Sequence, residues 1–478
     1  MAKYESRLFV NGELVKPLGN KTFPLSNPAT GEFIADIPIA EEEDVNRAVA
    51  AAEKAQPAWA RLPARQRSAI IRKFASLMEH NKHKLSELDS VCMGKPLHGG
   101  LSDIKEAAEI SNYFAGLAES SGGETSLNTP GMISMSLRQP YGVVASIIPW
   151  NFPSMIWCHD VVPAVAAGNA IILKTSEKSP LSGVFLAQIA YEAGFPAGIV
   201  NVISGPGQTG AFLSSHMQIR KISFTGSARA GRAIMQAAAN SNLKVVGLEL
   251  GGKSPLLVFD DADLDATADA AVASITINSG QVCTASSRVY VQKGAAAKFK
   301  ELVVARMSSL RLGDPLQDGT QMGPQADEKQ AAAVGKYLDI GTEYGRAIVG
   351  GKRATEAGVN FIQPTVFTGL SDQSRLNTEE IFGPVMVMHE FDTEEEAVHR
   401  ANDTEYGLYA SVFTKDINRA MRVARALEAG NVGVNTTSPD GPYEMPFGGF
   451  KGSGIGRQKG SHAVLDWTEV KSVYVKHG

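Results

Sequence analysis

Over the first 40 residues the apolar positions come in short alternating runs, broken by the turn pairs Asn11-Gly12, Asn27-Pro28 and Thr30-Gly31. Alternation of that kind predicts small strands. From Glu41 to about Leu117 the period lengthens to that of a helix. Val45, Ala48, Val49 and Ala52 recur on one face, and Ile70, Ile71, Phe74, Leu77 and Met78 repeat the spacing. Asn128-Thr129-Pro130-Gly131 then separates two alternating segments, as the turn of a projecting hairpin would.

Beyond Gly142 the pattern changes again. Short β-rich runs at Val143–Ile148, Ala170–Leu173, Ile199–Ile203, Lys221–Phe224 and Lys244–Leu248 start 27, 29, 22 and 23 residues apart. Helical segments lie between them, at Val161–Ala167, Leu181–Ala193, Gly210–Ser215 and Ala230–Ala239. This alternation predicts an α/β fold with a parallel, doubly wound sheet, the usual platform for a nucleotide. A second series runs from Pro255–Phe259 through Ala262–Ser279 and Val289–Val291 to about Gly433, and predicts a second α/β domain. Thr468–Val475 alternates once more and reads as a final strand.

Composition narrows the class. The 478 residues are 44% hydrophobic and 20% charged, the balance of a globular protein with full cores. Lys and Arg number 46 against 50 Asp and Glu, a net charge of −4 without long blocks of one sign. That excludes the basic footprint of a nucleic-acid binder or a polybasic membrane-surface protein. The three cysteines, Cys92, Cys158 and Cys283, are too few and too scattered for a disulfide scaffold and suit a reducing compartment. Nine histidines form no ligand cluster, so no metal is expected. With no signal peptide and no run of about 18 apolar residues, the expected location is the cytoplasm.

Two glycine motifs could face a phosphate. Gly205-Pro206-Gly207-Gln208-Thr209-Gly210 matches G-x-G-x-x-G but follows the third strand of its series, with no acidic residue ending the next strand. It is a cofactor contact or a plain turn. Phe224-Thr225-Gly226-Ser227 sits at a strand-to-helix junction, where free N–H groups and the helix dipole favour a phosphate. Gly226 permits a tight turn and close approach, and Ser227 can cap the helix.

Five further segments carry a resemblance. They are Pro149-Trp150-Asn151-Phe152-Pro153, Leu248-Glu249-Leu250-Gly251-Gly252-Lys253, Gly280-Gln281-Val282-Cys283, Glu379-Glu380-Ile381-Phe382-Gly383-Pro384 and Pro446-Phe447-Gly448-Gly449. In their order and spacing the chain resembles the aldehyde dehydrogenase superfamily over nearly its whole length. The resemblance implies a Rossmann-like cofactor-binding domain from 1–120 and 140–250 and an α/β catalytic domain at 251–450. It implies a small β oligomerisation element from 121–139 and 460–478, and hence a homodimer or homotetramer.

The implied chemistry suits these residues. Oxidation of an aldehyde to an acid needs a nucleophile that turns the carbonyl into an alkoxide able to expel hydride, and a thiolate then leaves a hydrolysable thioester. Cys283 holds that place, in a polar Ser279-Gly280-Gln281 loop, whereas Cys92 reads as buried in a helix and Cys158 as buried and lining a pocket. Asn151 and the backbone N–H of Cys283 hold the place of the oxyanion donors. Glu249, between Leu248 and Leu250, holds that of the base that activates water, its apolar flanks raising its pKa.

For the cofactor the resemblance places Lys174 and Glu177 at the adenosine ribose and Ser227 at the pyrophosphate. Glu380 falls at the nicotinamide ribose, with Phe382 beside the ring and no Lys or Arg adjoining Glu380 in sequence. Ile148, Trp150, Gly207, Phe224, Gly226, Gly231 and Gln330 fall at other contact positions. Glu177 would accept from a free ribose 2′-OH and repel a 2′-phosphate, which favours NAD, although Lys174 and Lys178 keep NADP possible. The substrate wall implied is Phe152, Ile156, His159, Val282, Thr284 and Phe447, mostly apolar. Relatives that oxidise succinate semialdehyde carry arginine where His159 stands, so uncharged aromatic or medium-chain aliphatic aldehydes are expected. A CoA-acylating relative would lack Glu249, and a structural protein on this fold would not keep Cys283, Glu249 and Asn151 together.

Overall fold

The computed structural model describes residues 4–120, 122–438 and 441–477; positions 1–3, 121, 439–440 and 478 of the expected segments lie outside them. Five parallel strands form the first sheet, at Val143–Ile147, Ala170–Lys174, Val200–Ile203, Lys221–Thr225 and Val245–Glu249. Each lies within a residue or so of its expected place. In space the strand from Val245 is followed by those from Lys221, Val143, Ala170 and Val200. Short antiparallel strands extend both edges, Leu8–Val10 and Glu13–Val15 on one side and Gly454–Ile455 on the other. The order reverses between Val143–Ile147 and Lys221–Thr225, whose onward chains leave in opposite directions. A crevice therefore opens at their carboxyl ends.

Helix Pro153–Ala166 starts earlier than the expected Val161–Ala167, because Pro153 sits at the first helical position, where its fixed φ and missing N–H do no harm. It is buried almost all round, with helix Leu97–Leu117 packed against it. The helix expected over Ala262–Ser279 is Leu264–Thr276. It stops there because Asn278 and Ser279 take φ of 49° and 57°, the left-handed region.

The second sheet runs, in spatial order, through Arg346–Val349, Thr365–Thr368, Val385–Phe391, Arg288–Gln292, Pro255–Val258, Tyr409–Phe413 and Asn431–Val434. All neighbours are parallel except the first pair. The tail strand Thr468–Lys476 pairs antiparallel with Met132–Pro140, which Thr125–Ser126 flanks beyond the 128–131 turn. One apolar core joins the first sheet, its helices and the near face of the second. Among the described residues no helix is long and apolar enough to cross a membrane.

Candidate active site

The crevice carries the Pro149–Pro153 segment after one strand and Gly226-Ser227 after the other. Phe224 folds under Gly226 so closely that a Cβ there would lie 2.5 Å from its ring. The Gly226 N–H donates to the Glu249 carbonyl at 3.0 Å. Ser227 caps helix Ala228–Ala239, its hydroxyl accepting from the Ala230 N–H at 3.3 Å. The G-x-G-x-x-G turn lies elsewhere, after Val200–Ile203, with a whole strand between it and the crevice's near edge. Its Thr209 hydroxyl donates to the Ala40 carbonyl at 2.6 Å, and a Cβ on Gly207 would meet nothing within 4 Å.

A cavity of about 450 Å³ fills the crevice and reaches under the second sheet's loops. Cys283, Glu249 and Asn151 all line it, as do Phe152, Ile156, His159, Val282, Thr284 and Phe447. Trp150, Gly226, Ser227, Gln330, Glu380 and Phe382 line the same space. Ile148, Lys174, Glu177, Gly207, Phe224 and Gly231 do not form its wall. Lys174 and Glu177 follow the neighbouring strand, Lys174 buried and Glu177 exposed. Gly231 packs on Leu250, and the buried Ile148 donates its N–H to the Lys174 carbonyl at 3.1 Å.

Backbone geometry presents the thiol. Asn278, Ser279 and Gly280 are all left-handed, and a side chain on Gly280 would collide with the Gly383-Pro384 backbone. A Cβ on Gly252 would strike the Cys283 carbonyl. Burial pushes the Cys283 thiol up to about 12, helped by the Glu380 and Glu249 carboxylates. Cys92 and Cys158 are buried; Cys158 meets the Met78 sulfur and lines no part of the cavity, contrary to expectation, because its helix turns it into the core.

The Asn151 carboxamide donates one N–H to the Gln281 carbonyl at 2.9 Å, and Asn278 donates to the Asn151 carbonyl at the same distance. The amide carries a second N–H that can serve a ligand. Glu249 ends its strand with Oε2 buried and, among the described residues, without a partner. Burial holds its pKa well above the carboxylate range; the Asp160 charge adds to this and Arg457 opposes it. Glu380 is held instead: its Oε1 accepts the Gly252 N–H at 3.0 Å, and burial brings it to about 7. The sequence places no cation next to Glu380, but the fold does. Buried Lys253 lowers the Glu380 pKa and is itself brought down to about 7 by burial, with Arg288 adding to the fall.

The whole arrangement matches the aldehyde dehydrogenase family over residues 15–473. The chain belongs to that family. An aldehyde dehydrogenase of Emericella nidulans is 44% identical over 481 positions, covering 100% of this chain and 96% of that protein. The crystal structure of the aldehyde dehydrogenase KauB from Pseudomonas aeruginosa superposes with a TM-score of 0.97 at 40% identity, over 99% of this chain and 97% of that one. An indole-3-acetaldehyde dehydrogenase solved with NAD+ gives the same TM-score, identity and coverage.

Within this aldehyde dehydrogenase fold several contacts matter that the sequence did not show. Gln330 donates to the Phe382 carbonyl at 2.9 Å, fixing a residue whose φ is 58°. Trp150 stands perpendicular to Phe382 at 5.4 Å, with the Lys178 ammonium 4.7 Å from the Trp150 ring centre. Asp160 is buried, accepts from Ser146, Ser223 and Gln458, and is pushed up to about 6 by burial. The cavity is also less apolar than the wall expected for a substrate, since Asp103, Glu106, Gln458 and Lys459 line it. They come from a helix and a tail loop that no motif marks.

Proposed function

We propose that this aldehyde dehydrogenase oxidises uncharged aromatic or medium-chain aliphatic aldehydes to carboxylic acids, with NAD as acceptor and NADP as a poorer substitute. The observation that carries it is one cavity shared by a presented thiol, a buried carboxylate with one oxygen unpartnered among the described residues, and an amide with an N–H to give. The Cys283 sulfur attacks the carbonyl carbon as its proton passes to water, and the oxygen takes up charge against the Asn151 amide and the Cys283 N–H. Preorganised donors of this kind are commonly worth about 3 kcal/mol each. Gly226, Ser227 and the start of helix Ala228–Ala239 fit a pyrophosphate, because Gly226 and Ser227 line the cavity where the first turn of a helix favours an anion. Glu380 fits the nicotinamide ribose, and exposed Glu177 fits an adenosine ribose without a 2′-phosphate. Bound there, NAD supplies the acceptor for the hydride that the carbonyl carbon gives up. Glu249 then takes a proton from water, and the hydroxide cleaves the thioester on Cys283 to free the acid.

His159 supports the preference for uncharged substrates. Burial and the nearby Lys459 hold its pKa well below the usual histidine range, so it offers no positive charge to a carboxylate tail. The domain division follows the sheets: 1–120 with 140–250 for the cofactor, 251–450 for the thiol. For the oligomerisation element of 121–139 and 460–478, the ribbon of Thr125–Ser126, Met132–Pro140 and Thr468–Lys476 with its turn carries exposed Leu127, Val470, Tyr474 and Val475, which suits pairing with a second copy in a dimer or tetramer. Three unpaired cysteines fit a cytoplasmic setting. The deciding experiment follows reduced-nicotinamide absorbance with hexanal, benzaldehyde and succinate semialdehyde at a pH of about 8. Both cofactors are tried, with and without CoA. NAD, no need for CoA, and at least about a tenfold advantage for the uncharged aldehydes are expected. A win for the semialdehyde overturns the substrate preference.

A further inference from the structure

We infer that Lys459, Glu106 and His159 form a polar subsite in the cavity wall that selects aldehydes whose distal end bears an uncharged hydrogen-bonding group, a hydroxyl or a carboxamide. The inference rests on the aldehyde-oxidation reading above and narrows its substrate class. Lys459 sits in the tail loop with φ of 54°, a left-handed turn that carries its side chain inward until it is only 11% exposed. Its ammonium donates to Glu106 Oε1 at 3.2 Å and lies 5.7 Å from the Phe447 ring. Among the described residues that is one hydrogen bond for three N–H groups. His159, from helix Pro153–Ala166, is buried, and its Nε2 has no partner among the described residues. All three residues line the cavity that Cys283 lines.

The charges decide what this subsite can take. Lys459 and Glu106 close on each other, so the pair is neutral as a whole. A carboxylate tail would be set against Glu106 and an ammonium tail against Lys459. A purely alkyl tail would wall off the remaining N–H groups and the His159 nitrogen from water without replacing their hydrogen bonds, which is unfavourable. A hydroxyl or amide both accepts and donates. It can take a hydrogen bond from Lys459 and give one to Glu106 or to the imidazole.

The test compares two aldehydes of equal size, 4-(hydroxymethyl)benzaldehyde and 4-ethylbenzaldehyde, with 4-formylbenzoate as the charged arm. In the wild-type enzyme the hydroxymethyl compound should lead in kcat/KM by at least about tenfold. The benzoate should trail it. Lys459→Met should bring the ratio of the two neutral substrates to within about threefold. Glu106→Gln, which keeps the ammonium, should lower the ratio by a smaller factor. Because the ratio is read within one variant, a general loss of activity does not mimic the effect. A wild-type ratio near one, a ratio untouched by Lys459→Met, or a lead for 4-formylbenzoate overturns the subsite alone. Failure of these aldehydes and of benzaldehyde and hexanal to reduce NAD overturns the aldehyde-oxidation reading, and this inference with it.

Discussion

Two carboxylates border Cys283, Glu249 buried and Glu380 half-buried, and the fold treats them differently. Glu249 ends a parallel strand with one oxygen unpartnered among the described residues, and burial lifts its proton affinity well above normal. Glu380 follows the short helix Arg375–Thr378, receives the Gly252 N–H and has Lys253 near it, and settles at about 7. Both push the thiol upward. The difference lies in tethering. An isolated buried carboxylate is free to move and eager for a proton, which suits a base; a tethered one keeps its place, which suits a ligand for hydroxyl groups.

The severest way to break this comparison is to remove what both carboxylates surround. Cys283→Ala should cut aldehyde oxidation by about ten-thousandfold or more, while NAD binding measured by fluorescence titration stays near wild type. Turnover within about tenfold of wild type would move the nucleophile elsewhere. Glu249→Gln tests the free carboxylate. A burst of reduced cofactor near one equivalent should survive in stopped flow, while steady-state turnover falls by about a thousandfold. Undiminished turnover would strip Glu249 of its role.

Glu380→Gln tests the tethered one. The KM for NAD should rise by about tenfold with a smaller change in the aldehyde KM, since a neutral amide accepts ribose hydrogen bonds less strongly. If instead it halts thioester hydrolysis, the two assignments are reversed. The smallest effect concerns stability. Because the Glu249 pKa is raised on folding, its stabilising contribution is complete below the unfolded value of about 4.3 and is lost as pH rises through the folded value. Glutamine does not ionise. Melting scans should therefore show Glu249→Gln gaining about one to two degrees on wild type between pH 5 and pH 8. A gain that shrinks with rising pH would show Glu249 to be better satisfied than its surroundings indicate.

Much of this was legible in the sequence, for identifiable reasons. Strands such as Val143–Ile147 and Ala170–Lys174 are apolar on both faces and end at turn residues, so pattern alone locates them within a residue or so. Cys283, Glu249 and Asn151 sit in distinctive local motifs at strand and helix ends. What stayed hidden depends on pairings distant in sequence. The Lys253 charge acts on Glu380, Gln458 donates to Asp160, and Lys459 donates to Glu106, each across more than a hundred residues. Nor does the pattern reveal that Asn278 and Ser279 turn left-handed and cut a helix short, since both residues are compatible with the preceding apolar period.

The glycines at 251, 252 and 280 carry one more consequence. None has a group to offer a substrate, yet a single methyl at each would run into Glu380, the Cys283 carbonyl or the Gly383-Pro384 backbone. The reaction centre is thus a clearance as much as a set of functional groups: its tolerances are set by atoms that are absent. A saturation-mutagenesis map scored on activity would colour these three positions as darkly as the thiol itself. Read without the structure, such a map would enlarge the catalytic apparatus by residues whose whole contribution is to leave room.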